Sequence, residues 1–182
     1  MHQIQAGEIK MEFNESIGSV MSQKFLAFYL DSKNYGVPIL KVNEVIVLPE
    51  ITPIPKAPKY MKGVINLRGL IIPILDLRLA LNMDEVDYDK ETCVIIVKMQ
   101  VLGGEKLVGF IVDCVSEVFE INSSDIEAPP NYGEDLDDEF LKGIGKVKEK
   151  IIMLLDIDKI LSNNDRESIL TRNLDSEVVT QV

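Results

Sequence analysis

The chain states one pattern twice, and this repetition restricts its fold more than any other feature. Residues 36–45 (GVPILKVNEV) align with residues 109–118 (GFIVDCVSEV), with identities at Gly36/Gly109, Val42/Val115, Glu44/Glu117 and Val45/Val118, a spacing of 73 residues. Residues 60–81 (YMKGVINLRGLIIPILDLRLAL) align with 140–161 (FLKGIGKVKEKIIMLLDIDKIL) at a spacing of 80, matching Lys62/Lys142, Gly63/Gly143, Ile72/Ile152, Leu75/Leu155, Asp76/Asp156 and Leu81/Leu161. The seven-residue difference is an insertion in the second copy, placed at the acidic stretch 132–139 (YGEDLDDE), because solvated loops absorb length at little cost. Two copies do not make a solenoid, which needs three or more stacked units.

Both copies are rich in Val and Ile, in short apolar or alternating runs separated by Gly, Pro and Asn/Asp clusters, the pattern of short strands. Strands are expected over 24–30, 35–40, 42–48, 63–67, 70–75, 92–101, 106–112, 115–121, 143–147 and 150–155. Hairpin turns are expected at 32–34 and 102–105, where Asn and Gly can take positive φ. Asp76 and Asp156 stand where a carboxylate caps the first turn of a short helix. Each copy then holds about five strands and one helix, and five strands with one apolar face are best buried by curling into a small barrel. Two such barrels can share a core between them, so the fold class is mainly β with short helices.

A chain of 182 residues, 46% of them hydrophobic, can bury a core of its own. Residues 1–22 are polar without period and read as a flexible lead-in; residues 163–182 read as a polar tail with a helical turn near 167–173. The formal charge of −11 has the wrong sign for nucleic acid or an anionic membrane surface, which leaves proteins as partners. No charged-then-apolar leader and no apolar run of bilayer-spanning length is present, so a cytoplasmic location is expected.

His2 is the only histidine and lies in the lead-in, so the folded body lacks the usual general base and the commonest metal ligand. No catalytic site, metal or cofactor is expected. Cys93 and Cys114 stand apart with no CxxC spacing and read as buried, reduced core residues. Neither acidic run, 83–91 (MDEVDYDKE) or 132–139, fits the spacing of a calcium-binding EF-hand, which requires a central glycine and a terminal glutamate in a fixed twelve-residue loop, and both read as solvated connectors.

Aligning the copies isolates what differs between them. Where the first has Asn66-Leu67-Arg68-Gly69-Leu70, the second has Lys146-Val147-Lys148-Glu149-Lys150, and Pro73 faces Met153. A hairpin tip carrying Leu67 and Leu70 around an arginine is not what solvent alone requires, which makes the first copy the candidate for contacting something. Two readings of Arg68 stand: an ion pair with Glu44 in the edge-like strand VNEV, or a contact with a partner.

The run KGVINLRGLIIPILDLR, preceded by YGVPILKVNEVI and followed by VGFIVDCVSEV and LKGIGKVKEKIIMLLDIDKIL, resembles the CheW family of chemotaxis coupling proteins over residues 23–162. The resemblance implies two intertwined five-stranded SH3-like barrels, approximately 23–90 and 91–162, with strands partly exchanged. It implies a non-catalytic adaptor that links the cytoplasmic tip of methyl-accepting chemoreceptors to the regulatory domain of the histidine kinase CheA, in membrane-associated arrays controlling motility. A scaffold of a specialised surface-sensing pathway is the alternative. Carried over by motif position, Glu44 and Arg68 are the polar pair implicated in assembly, with Val42, Val45 and Asn66 beside them. Val115 and Val118 line the other side of a groove between the subdomains.

Overall fold

The computed structural model describes residues 21–130 and 138–170. Among these are eleven strands: β1 (Ser22–Leu30), β2 (Lys33–Pro38), β3 (Val42–Val47), β4 (Met61–Leu67), β5 (Leu70–Asp76), β6 (Cys93–Val101), β7 (Gly104–Val112), β8 (Cys114–Asn122), β9 (Ile126–Glu127), β10 (Leu141–Val147) and β11 (Lys150–Leu155). Two α-helices, α1 (Leu77–Ala80) and α2 (Asn163–Leu170), follow β5 and β11. Ten strands fall within two residues of the expected runs; β9, only two residues long, was not expected. Residues 1–20, most of the acidic insertion at 132–139 and the last twelve residues lie outside the described residues.

The strands form two sheets, ordered β8-β1-β2-β11-β10-β9 and β3-β6-β7-β5-β4. Neither is built from one copy alone: each takes the first hairpin of one copy and the later strands of the other. The copies meet at four pairings, of which β2 with β11 and β5 with β7 are parallel while β1 with β8 and β3 with β6 are antiparallel, as are all the pairings within a copy. This exchange explains why β1 and β6 are apolar almost throughout. In β1, Phe25 and Ala27 point into a core with Phe119, Ile121, Ile152 and Leu154, while Leu26, Phe28 and Leu30 point into a shared core. In β6, Val94 and Ile96 pack with Ile65, Ile72, Ile74 and Ile111, while Ile95, Val97 and Met99 face the shared core. A strand buried on both faces loses the polar half of its alternation. Each fully buried Leu, Ile or Phe contributes about 1.5–3 kcal/mol of transfer free energy, so the shared core opposes separation of the copies.

The matched glycines have one cause. A Cβ on Gly63 (φ +144°) would stand 2.0 Å from the backbone oxygen of Thr52, which bridges to Val64. A Cβ on Gly143 would stand 2.6 Å from Ile126 Cγ2 and 3.0 Å from the Glu127 oxygen. Both let a returning segment lie against a bulged strand, and in the second copy that segment is β9.

Both expected caps are present: Asp76 accepts from Leu79 N–H (3.3 Å) and Asp156 from Asp158 N–H (3.2 Å). After Asp156 the turn is 3-10 (Ile157–Lys159) rather than α. The β1–β2 turn differs from expectation too. Leu30 pairs with Lys33, so positive φ falls on Asp31 (49°) and Ser32 (59°), while Asn34 lies inside β2. Helix α2 begins at Asn163, ahead of the helical turn expected near 167–173, and its last residue, Leu170, is buried in the shared core.

Candidate functional site

The arginine singled out by the repeat sits at a turn that fixes its direction. Leu67 pairs with Leu70, leaving Arg68 and Gly69 as a two-residue tip with φ of 52° and 87°. Positive φ at both positions is the type I′ geometry that suits the twist of a hairpin. The Asn66 side-chain oxygen accepts from Gly69 N–H at 2.8 Å and closes the turn. In the second copy Lys148 (47°) and Glu149 (67°) take the same geometry.

From this tip Arg68 donates twice to Glu44, Nη1 to Oε1 at 2.7 Å and Nη2 to Oε2 at 2.9 Å. The Arg68 hydrogen bonds hold the Glu44 carboxyl below its ordinary range. Glu44 and Arg68 belong to opposite ends of the five-stranded sheet, β3 at one edge and the β4–β5 hairpin at the other. The pair therefore spans the seam across which that sheet curls toward a barrel. Among the described residues no ion pair joins the counterparts, Glu117 and Lys148. The Arg68 side chain stays 72% exposed and the Glu44 side chain 23%, so the arginine is both paired and open to solvent.

The strand carrying Glu44 is bulged. Val42 pairs with Val97 and Glu44 with Ile96, so one residue of β3 has no partner, and β8 repeats the irregularity against Leu26 and Phe28. A bulge bends its strand and re-aims the side chains beyond it. Past this one, Ile46 packs into the core of Ile65, Ile72 and Ile111 in the five-stranded sheet, while Val45 and Val47 stay 41% and 79% exposed.

The edge strands β3 and β8 border one groove of about 490 Å³, lined by Val45, Ile46 and Val47 from one side and Cys114 and Val115 from the other, with Glu91 and Cys93 between. The structure thus brings together Val45 and Val115. Val42 packs against the shared core, Val118 is exposed on β8 but outside the groove lining, and Asn66 acts in the turn. The sequence reading missed Ile46, Val47 and Glu91 as lining residues. It read both cysteines as buried and reduced; both thiols are free as expected but only half-buried, Cys93 packing against the shared core, and both line the groove. Each opens a strand at the end of the packed region, which alternation alone does not reveal.

Among the described residues, no group of His, Cys, Asp and Glu could hold a metal ion, and no helix is long and apolar enough to cross a membrane.

Comparison with known proteins agrees with this architecture. The CheW-like domain family matches residues 24–165. The chain is 38% identical over 148 residues to the chemotaxis protein CheW of Klebsiella aerogenes, covering 81% of this chain and 87% of that protein. It is 29% identical over 149 residues to FrzA of Myxococcus xanthus, covering 81% and 90%. The crystal structure of the scaffolding protein TtCheW from Thermoanaerobacter tengcongensis superposes with a TM-score of 0.73 at 36% identity, covering 82% of this chain and 99% of that one. With its swapped pair of sheets, its doubled sequence and these likenesses, the chain belongs to the CheW-like domain family.

Proposed function

We propose that this chain, a chemotaxis adaptor, joins the regulatory domain of a CheA-type histidine kinase to the cytoplasmic tip of methyl-accepting chemoreceptors, with no chemistry of its own. The observation that carries this reading is the groove between β3 and β8, flanked by a solvent-open ion pair. Apolar side chains along two strand edges offer buried area to one face of an amphipathic helix. A charged group at the rim sets register and discriminates partners more than it adds affinity. Arg68 suits that role because its guanidinium is already oriented by Glu44 and keeps further N–H donors free to meet a partner carboxylate.

The test is binding of two purified probes, a receptor helical-hairpin tip and a kinase regulatory domain. Wild-type protein is expected to bind each on the order of tens of micromolar or tighter, and Arg68→Glu to weaken one of them while leaving the circular dichroism spectrum unchanged. No binding of either probe by wild type would sink the proposal. Binding of both by Arg68→Glu at wild-type strength would remove the residue from it.

A further inference from the structure

One segment next to the groove is held to the fold by side chains alone. Residues 83–92 form a strap that leaves α1 and enters β6. At its start the Met83 N–H donates to Arg78 O at 2.8 Å, and at its end the Leu48 N–H donates to Thr92 O at 3.4 Å. Between these two, no backbone hydrogen bond joins the strap to the other described residues. Two side-chain contacts pin it instead. The Tyr88 hydroxyl donates to Asp76 Oδ2 at 2.7 Å, and Lys62 Nζ donates to Glu85 Oε1 while lying 5.9 Å from the centre of the Tyr88 ring. Residues 84–91 are otherwise exposed. A segment with so little burial and no ladder opens locally at low free energy.

Beneath the strap is a cavity of about 190 Å³, bounded by Tyr88, Asp89 and Thr92 on one side and Asp76, Arg78 and Asp113 on the other. It lies back to back with the groove. Thr92 and Asp113 line the cavity, and the residues that follow them, Cys93 and Cys114, line the groove. The two spaces are therefore separated by the stretches 92–93 and 113–114. The strap holds both. Asp76, which takes the Tyr88 hydrogen bond, also caps α1 through the Leu79 N–H, and α1 carries Arg78, whose fork grips Asp113. One residue after Tyr88, Asp89 accepts from the N–H groups of Glu91 (2.8 Å) and Thr92 (3.1 Å), and Glu91 lines the groove.

We propose that Tyr88 is a positioning residue for the groove: hooked on Asp76 it latches the strap shut, and the shut strap and a receptor helix in the groove stabilise one another through the wall at 92–93 and 113–114. The inference rests on the adaptor reading for the identity of that occupant. The strap is a two-state element that the hook biases from the cavity side and the helix from the groove side, which is what coupling between separate sites requires. With the strap shut, Glu91 and Cys114 are in place before the helix arrives, and binding does not have to order them. By linkage, the factor that closure adds to helix affinity is the factor that the helix adds to closure. Burial and the hydrogen bond to Asp76 raise the Tyr88 phenol above its ordinary range, so the hydroxyl stays a donor at neutral pH.

The experiment measures amide exchange and binding of the receptor helical-hairpin tip, in the full chain and in Tyr88→Phe, which keeps the ring and removes the hydroxyl. In wild type, a saturating hairpin is expected to slow exchange at 86–88, which line the cavity and not the groove. In Tyr88→Phe, exchange at 86–88 should rise about fivefold, exchange at 114–116 should rise with it, and hairpin affinity should fall about fivefold, with the circular dichroism spectrum unchanged. Glu85→Gln weakens the second pin without touching Asp76; it should move each quantity the same way by less, and it takes the place of Tyr88→Phe if that variant does not fold. Unchanged exchange at 86–88 in the variant overturns the inference. So does faster exchange there with either 114–116 or hairpin affinity unchanged, because the strap then opens independently of the groove. Hairpin binding that leaves 86–88 unprotected in wild type overturns it as well. If wild type binds no hairpin, the adaptor reading fails separately, and exchange at 114–116 in the variant alone decides whether the latch holds the groove wall.

Discussion

Arg78 holds Asp113 by two hydrogen bonds, Nε to Oδ1 at 2.8 Å and Nη2 to Oδ2, and so ties the first helix of one copy to the β7–β8 corner of the other. The Asp31 N–H donates to the same carboxylate at 2.8 Å, which adds the β1–β2 turn to the knot. The second copy builds the corresponding tie with the charges reversed. Asp158, aligned with Arg78, accepts from Lys41 Nζ at 2.7 Å and from Gln100 N–H at 2.8 Å. Lys41 lies one residue beyond the position aligned with Asp113. The repeat thus conserves the place of an ion pair between copies, not its polarity.

Removing one partner of the first pair should be costly, because the Arg78 side chain is only 10% exposed and would be left with an uncompensated charge. Asp113→Ala is expected to lower unfolding free energy by about 2–4 kcal/mol, somewhat below the range for a fully buried pair because Asp113 retains solvent contact. The double substitution Arg78→Met with Asp113→Leu should recover most of that loss. Urea unfolding of the three proteins decides the matter, and a single variant as stable as wild type would show that the pair carries little.

Gly63 and Gly69 both have positive φ but face opposite surroundings, which separates two costs. At Gly69 (φ +87°) nothing lies within 4 Å of an added Cβ, whereas at Gly63 the Cβ meets the Thr52 backbone. Gly69→Ala should therefore cost about 1–2 kcal/mol, the backbone penalty alone. Gly63→Ala should cost more, since the segment bridging to β4 must move away. Thermal unfolding midpoints are expected to fall in that order, and equal shifts would mean that the bridge yields freely.

The doubled sequence made strand positions and barrel count legible, because alternation and turn chemistry are local. It did not show which strands share a sheet. The copies exchange hairpins through contacts between residues such as Ile74 and Gly109, distant in sequence, and both β1 and β6 read simply as apolar. The Glu44–Arg68 pair was one of two readings left by the sequence, because comparing copies marks an odd residue without fixing its reach. The groove was legible only through Val45 and Val115. Cys93 and Cys114 look like core cysteines in any local window, and only the crossing of two sheets at Asp113 brings them to a common surface.

The apolar lining of the groove can be tested apart from its charged rim. Val45 is 41% exposed, so Val45→Asp buries no charge and should leave the urea midpoint within error of wild type. The same aspartate in the groove must be desolvated by an apolar occupant, and binding of the receptor hairpin should weaken at least tenfold, roughly 1.4 kcal/mol. Unchanged titration by calorimetry would move the binding surface elsewhere.

Tyr60 gives a pH dependence whose direction is fixed. Burial, with the Asp165 carboxylate adding to it, pushes its phenol up to about 12 from an ordinary 10.0. Because the folded state holds the proton more tightly, the stabilisation is fully present below about pH 10 and is lost as pH rises through about 12. Tyr60→Phe has no proton to lose and should flatten that part of the curve. Urea midpoints measured near pH 9 and near pH 11, the first about a unit below the ordinary phenol value and the second between the two, should draw together in the variant relative to wild type. Equal falls in the two proteins would assign the alkaline loss to other tyrosines or to lysines.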